Sequence, residues 1–157
     1  MVKTKFIITL FSFLLTVNCG YKIINQSSAN NFQFSEILTS GDPRINYNIK
    51  NQLFAKSSKT SENIIFLDIK TEKRKTVKNK NIKNEITDYE IIIISEISYK
   101  ILNINKEDRF NISKSGVYKV SDQRLNTTNN EKNLLNLLTN NITNQLLSKI
   151  NQELNDN

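Results

Sequence analysis

Histidine is absent from the 157-residue chain, and cysteine occurs once, at Cys19. Without histidine a Ser-His-Asp triad cannot be assembled. One cysteine forms neither a disulfide within the chain nor a Cys/His zinc site. Three glycines and one proline are too few for a Gly/Pro linker, and no Gly-rich loop is present to cradle a phosphate. The longest apolar run near the N-terminus, Phe6 to Val17, is broken by Thr9, Ser12 and Thr16. It falls short of the roughly 20 residues that a membrane-spanning helix needs. These absences make an enzyme unexpected and leave no metal or cofactor site in view.

Ile, Lys and Asn are abundant, as in proteins from AT-rich genomes. A chain of this length favours one domain with a real core. The formal net charge is +7, of which Lys3 and Lys5 contribute two. The positive remainder favours anionic partners, lipid phosphates or nucleic acid, without choosing between them.

Residues 1–18 read as a signal peptide: Lys3 and Lys5 form its positive start and the interrupted apolar run its centre. The run ends at Cys19, within Leu14-Leu15-Thr16-Val17-Asn18-Cys19. A bacterial lipoprotein signal ends at a cysteine that receives diacylglycerol and becomes the new N-terminus. Here Thr16 and Asn18 stand where Leu and a small residue are usual, so the motif is degenerate. A single free thiol in an oxidising compartment is a liability, which favours Cys19 as the lipidation site over an incidental cysteine. Gly20 rather than Asp follows it, in keeping with outer-membrane sorting. Residues 19–157 are then a single mature domain.

Along that domain, Phe32 and Phe34 have strand spacing in the stretch 32–38. Asp42 is placed to cap a helix and Pro43 suits its first position. Ile45, Ile49 and Leu53 follow at the spacing of one helical face. Residues 63–77 predict a strand with Ile65, Leu67 and Ile69 on one face, and 78–84 a hairpin turn. The next strand alternates most clearly. Tyr89, Ile91, Ile93, Ile97, Tyr99 and Ile101 share one face with Ser95, and Glu90, Glu96, Ser98 and Lys100 the other. A turn at Asn105 to Asp108 leads to a strand over 110–120, with Gly116 as a candidate bulge. Thr128-Asn129-Asn130-Glu131 has the form of a capping box and predicts a helix from there to about Ile150. The expected fold is α+β: a two-layer sandwich of a mostly antiparallel four-stranded sheet with two amphipathic helices on one face. The other sheet face must meet water or another protein.

This order of elements resembles the lipopolysaccharide-assembly lipoprotein LptE family. Cys19-Gly20-Tyr21 looks like its Cys-Gly-aromatic start. Gly41-Asp42-Pro43 resembles the turn before its first helix, and Ile86-Thr87-Asp88-Tyr89-Glu90-Ile91 the start of its long third strand. The leucine-rich C-terminal helix resembles its last one. The departures are the degenerate lipid motif and a missing Leu-Arg-Gly run after the aromatic start. The resemblance implies a non-enzymatic outer-membrane lipoprotein, lipid-anchored and facing the periplasm. Such a protein sits in the lumen of an LptD-like β-barrel, assists its assembly and binds lipopolysaccharide. An accessory lipoprotein of another assembly machine, such as the β-barrel assembly complex, and a secreted binding domain without a lipid remain alternatives.

The basic run from Lys70 to Lys83 is the candidate lipopolysaccharide contact. Arg74 is the first choice, because its guanidinium fork matches phosphate; Lys73, Lys75 and Lys78 follow. Strand alternation puts Lys73 and Lys75 on one face and Arg74 on the other, so the three cannot share one phosphate if the strand runs on. Nucleic acid is not expected, because no aromatic platform is interleaved with these cations and an exported protein meets little of it.

Overall fold

The computed structural model describes residues 31–156. The expected signal segment and Cys19 lie outside them. The elements are β1 (Gln33–Gly41), α1 (Pro43–Lys56), β2 (Ile64–Lys80), β3 (Ile86–Ile101), β4 (Lys106–Lys119) and α2 (Arg124–Asn155). They form one sheet in the order β1-β2-β3-β4. β2, β3 and β4 are an antiparallel meander, and β1 joins β2 in parallel. Parallel neighbours need a crossover, which α1 supplies. The expected α+β two-layer architecture is thus present, as a mixed sheet.

The apolar stripes meet where periodicity places them. Ile65, Leu67 and Ile69 of β2 and Ile91, Ile93, Ile97 and Ile101 of β3 are fully buried. They pack with Ile45, Ile49 and Leu53 of α1 and Leu138, Ile142, Leu146 and Ile150 of α2 in one cluster. Successive strand residues face opposite ways, so both helices lie on the odd-numbered face of β2 and β3. The even-numbered face carries no helix.

α1 starts as the sequence predicts. Asp42 Oδ1 accepts from the backbone N–H groups of Arg44 and Ile45 at 3.0 and 3.1 Å, and Pro43 takes the first helical position. The turn before it is tight. Gly41 has φ +95°, and a Cβ there would lie 1.8 Å from the Thr71 carbonyl oxygen. The Asp42 N–H donates to that oxygen at 3.2 Å. Beside it, the buried Thr71 hydroxyl donates to Asn46 Oδ1 at 2.8 Å, and the Asn46 amide donates to the Ser40 carbonyl at 2.9 Å. These bonds satisfy polar groups that burial would otherwise leave unpaired and fix α1 to both parallel strands.

Several boundaries differ from the sequence reading. α2 starts at Arg124 behind Gln123, not at Thr128. The Thr128 hydroxyl donates back to the Arg124 carbonyl at 3.0 Å inside the helix. Thr127 fastens the entry instead: its Oγ1 accepts from Ser121 N–H and donates to the Ser121 carbonyl. The helix also continues past Ile150, because Leu154 still packs on the core and Glu153 pairs with Lys106 and Lys149, each at 2.7 Å. β2 runs on to Lys80, so the turn is Asn81–Glu85. β4 starts at Lys106 opposite Ile101 because Asn105, at φ 49°, closes the turn before it. Gly116 is no bulge, since the β3–β4 register is continuous there. It leaves room for Leu134, whose Cδ1 would be 2.6 Å from an added Cβ. The register shifts fall elsewhere, at Phe34/Glu36 and around Asn79.

Candidate functional site: the basic hairpin and the open sheet face

The parallel register of β1 ends at Gly41 opposite Thr71. Beyond it β2 continues as one arm of a hairpin with β3, and this arm carries the basic run. All four predicted cations stand on strand, none in a loop: Lys73 opposes Ile93, Arg74 opposes Ile92 and Lys75 opposes Ile91, and Lys78 follows within β2. Alternation divides them two and two. Lys73 and Lys75 share the helix side, and Arg74 and Lys78 point to the open side.

On the helix side the cations are held by other elements. Lys73 Nζ lies 3.6 Å from Asp42 Oδ2, the residue that caps α1. Lys75 Nζ lies 2.7 Å from Glu131 Oε2 of α2. It also sits 4.4 Å from the centroid of the Tyr89 ring and 5.3 Å from that of Tyr118, within cation–π range. The two rings stack at 5.7 Å, and the Tyr118 hydroxyl donates to the same Glu131 oxygen at 2.8 Å. Burial works against the charge on Lys75, but Glu131 and Tyr118 outweigh it and raise its pKa. Burial likewise disfavours the Glu131 carboxylate, yet the hydrogen bonds from Lys75 and Tyr118 prevail and lower its pKa. Burial is the main cause that raises the Tyr118 hydroxyl. This knot ties the hairpin to α2. An anionic ligand taking Lys75 would first have to break it.

On the open side the pairs are more exposed to solvent. Arg74 Nε is 2.7 Å from Glu72 Oε1, and Lys78 is 3.2 Å from Glu90. The Arg74–Glu72 hydrogen bond, then its Coulomb attraction, raises the arginine and lowers the glutamate. Lys70 pairs with Glu96 at 3.3 Å on the same face. Exposed pairs of this kind add little to stability, so a phosphate could replace the carboxylate at little loss. Of the four predicted cations, Arg74 and Lys78 are therefore the two that can be given to a ligand without unfastening the fold.

The rest of the open face is a mixture of both charges around a partly apolar centre. Ile92 and Ile94 are half-buried there, and Leu38 and Val117 are exposed. At the end away from the hairpin, a shallow groove is lined by Phe66, Ser98, Lys100, Glu107 and Arg109. Arg109 Nε donates to Ser98 Oγ at 2.9 Å. Sequence reading missed this groove because Arg109 reaches it only through the β3–β4 register, Ser98 opposite Arg109. It also left out Lys80, Ile82 and Lys83 as site residues, though the lysines belong to the basic run. Among the described residues no group of three or more His, Cys, Asp or Glu side chains is placed to hold a metal. No described helix is long and apolar enough to cross a membrane.

A mixed sheet with an N-terminal parallel strand, a three-stranded meander and two helices on one face is an arrangement found in bacterial lipoproteins. No family model and no curated protein sequence matches the chain. Its fold is similar to that of rare lipoprotein B from Shewanella oneidensis, with a TM-score of 0.57 and 13% identity. That similarity covers 78% of this chain and 98% of the other. A candidate lipoprotein from Caulobacter crescentus CB15 has a TM-score of 0.54 and 12% identity, covering 76% of this chain and 90% of that one. An uncharacterized lipoprotein B from Nitrosomonas europaea has a TM-score of 0.51 and 12% identity, covering 79% and 87%. At such identity it is the fold that is shared, and the residues of the hairpin are this chain's own.

Proposed function

We propose that this chain is a lipid-anchored outer-membrane protein of the LptE kind. In this reading Cys19 carries the acyl anchor. The domain assists assembly of an LptD-like β-barrel, plugs its lumen and helps deliver lipopolysaccharide to the cell surface. The observation that carries the reading is the likeness of the whole two-layer fold to lipoprotein structures, joined to a lone cysteine at the end of an export-type segment. The open face supports it: charges of both signs with exposed hydrogen-bonding groups suit a water-lined barrel interior. Arg74 and Lys78 supply charge-assisted donors for lipid phosphates.

Depletion of the protein tests this. The expected result is loss of lipopolysaccharide from the surface with misassembly of one barrel partner. A parallel fall in many unrelated barrels would instead mark an accessory factor of the general barrel-assembly machine.

A further inference from the structure

Ile82 is the most exposed large apolar residue among those described, at 104% of its reference area. It stands at the tip of the β2–β3 hairpin, and the tip is built to hold it there. Asn81 organises the turn. Its N–H donates to the Glu85 carbonyl and its carbonyl accepts from Asn84 N–H, both at 2.9 Å. Its side-chain oxygen accepts from the N–H groups of Lys83 and Glu85 at 2.9 and 3.0 Å. Its amide donates to the Glu85 carboxylate at 2.7 Å, which occupies the one acid of the turn. Asn84 takes the left-handed conformation, φ 63°, that closes it. Ile82 itself enters none of these bonds.

Lys80 and Lys83 flank the isoleucine. Neither stands in an ion pair among the described residues; Lys80 Nζ donates to Asn84 Oδ1 at 3.0 Å. Below them Val77 is exposed on the same arm. A fixed turn that offers one bare apolar side chain between two ammonium groups that meet no carboxylate among the described residues has the two halves of a lipid contact. The apolar residue enters the acyl boundary, and the lysines, with their long flexible stems, stay at the phosphate level. Because the turn is already ordered, little entropy is lost on contact.

The geometry points to the Asn81–Glu85 tip as a membrane-contact element: Ile82 inserts into an anionic bilayer surface whose phosphates are met by Lys80 and Lys83. This goes beyond the proposed function: it concerns the chain at the membrane surface before it enters a barrel, and requires neither lipopolysaccharide nor a barrel. β1 begins at Gln33 beside Ile64, so the chain enters the sheet at the end remote from the tip. An acyl anchor at Cys19 and the tip would then be two separate footholds.

The chain contains no tryptophan, so Ile82→Trp places a single reporter at the tip. The full chain with Ile82→Trp is reconstituted into phosphatidylcholine vesicles with and without phosphatidylglycerol, using brominated lipid as quencher. Ile104→Trp, in the turn at the opposite end of the sheet, is the control. The expected result is an emission shift to shorter wavelength and strong quenching at position 82 in the anionic vesicles only. Replacing Lys80 and Lys83 together by Ser should reverse both effects. Emission at position 82 that is the same in both vesicles, or quenching no stronger than at position 104, would overturn the inference. The vesicles hold no lipopolysaccharide, so such a failure leaves the proposed function to be judged by depletion.

Discussion

Replacing Gly41 with alanine should unfasten α1 from the sheet, and the structure sets the magnitude. A non-glycine residue at the φ of +95° found here costs about 1–2 kcal/mol. The new Cβ would also lie 1.8 Å from the Thr71 carbonyl oxygen and 2.8 Å from its carbon, both backbone atoms. Relief requires parting the end of β1 from β2. That breaks the Asp42 N–H to Thr71 bond, worth about 1 kcal/mol, and strains the Asn46–Thr71 pair beside it. Reduced freedom of the unfolded chain returns at most about 1 kcal/mol. The net loss is then roughly 2–4 kcal/mol, a fall of about 1–2 M in urea midpoint for a domain of this size. Gly116→Ala is the matched control. There the obstacle is Leu134 Cδ1 at 2.6 Å, the far end of a flexible side chain, and φ is not positive. That variant should stay within about 1 kcal/mol of the parent, since the side chain can turn aside. Urea unfolding followed by circular dichroism measures both. Equal losses at the two glycines would show that neither the positive φ nor the Thr71 backbone makes Gly41 special.

Three further outcomes follow. Glu131 has a folded pKa below that of an ordinary carboxylate, so its contribution is present above an unfolded value of about 4.3 and disappears as pH falls through the folded one. Glu131→Gln should therefore lower the unfolding free energy at pH 7 by roughly 1 kcal/mol after allowing for partial exposure, and the deficit should shrink as the pH falls below the ordinary carboxylate range; a deficit unchanged by pH would rule out the ionic knot. Arg74→Glu with Lys78→Glu should weaken capture of the protein on immobilised lipopolysaccharide by about tenfold with little change in stability, and undiminished capture would remove the hairpin from the contact. Cys19→Ala should move the protein from the membrane to the soluble periplasmic fraction, whereas continued retention would contradict a lipid anchor.

Much of the fold was legible because its signals are local. The Ile stripe of β3 has period two over most of its length, and Ile45, Ile49 and Leu53 lie one helical turn apart behind an Asp-Pro start. Each maps directly onto a buried face. Pairing partners are not local, and nothing in residues 33–41 announces that β1 lies parallel to β2 rather than antiparallel. The start of α2 was misplaced for a related reason. Thr128 and Glu131 have the spacing of a cap, but Glu131 is engaged by Lys75 and Tyr118 from across the sheet. The division of the basic run into two faces followed from alternation. What the sequence concealed was the acid that each helix-side cation meets, since Asp42 and Glu131 lie far from Lys73 and Lys75 along the chain. Ile82 stood out least, because a lone apolar residue in a polar turn becomes informative only once the Asn81 bonds fix its exposure.

Whether the domain serves a barrel is read most plainly by co-purification from detergent-solubilised outer membrane, with the tagged full chain as bait and the retained proteins identified by mass spectrometry. One stoichiometric β-barrel partner of the LptD kind is expected, together with lipopolysaccharide. Recovery of the chain alone, or with subunits of the general barrel-assembly machine, would contradict the proposed role.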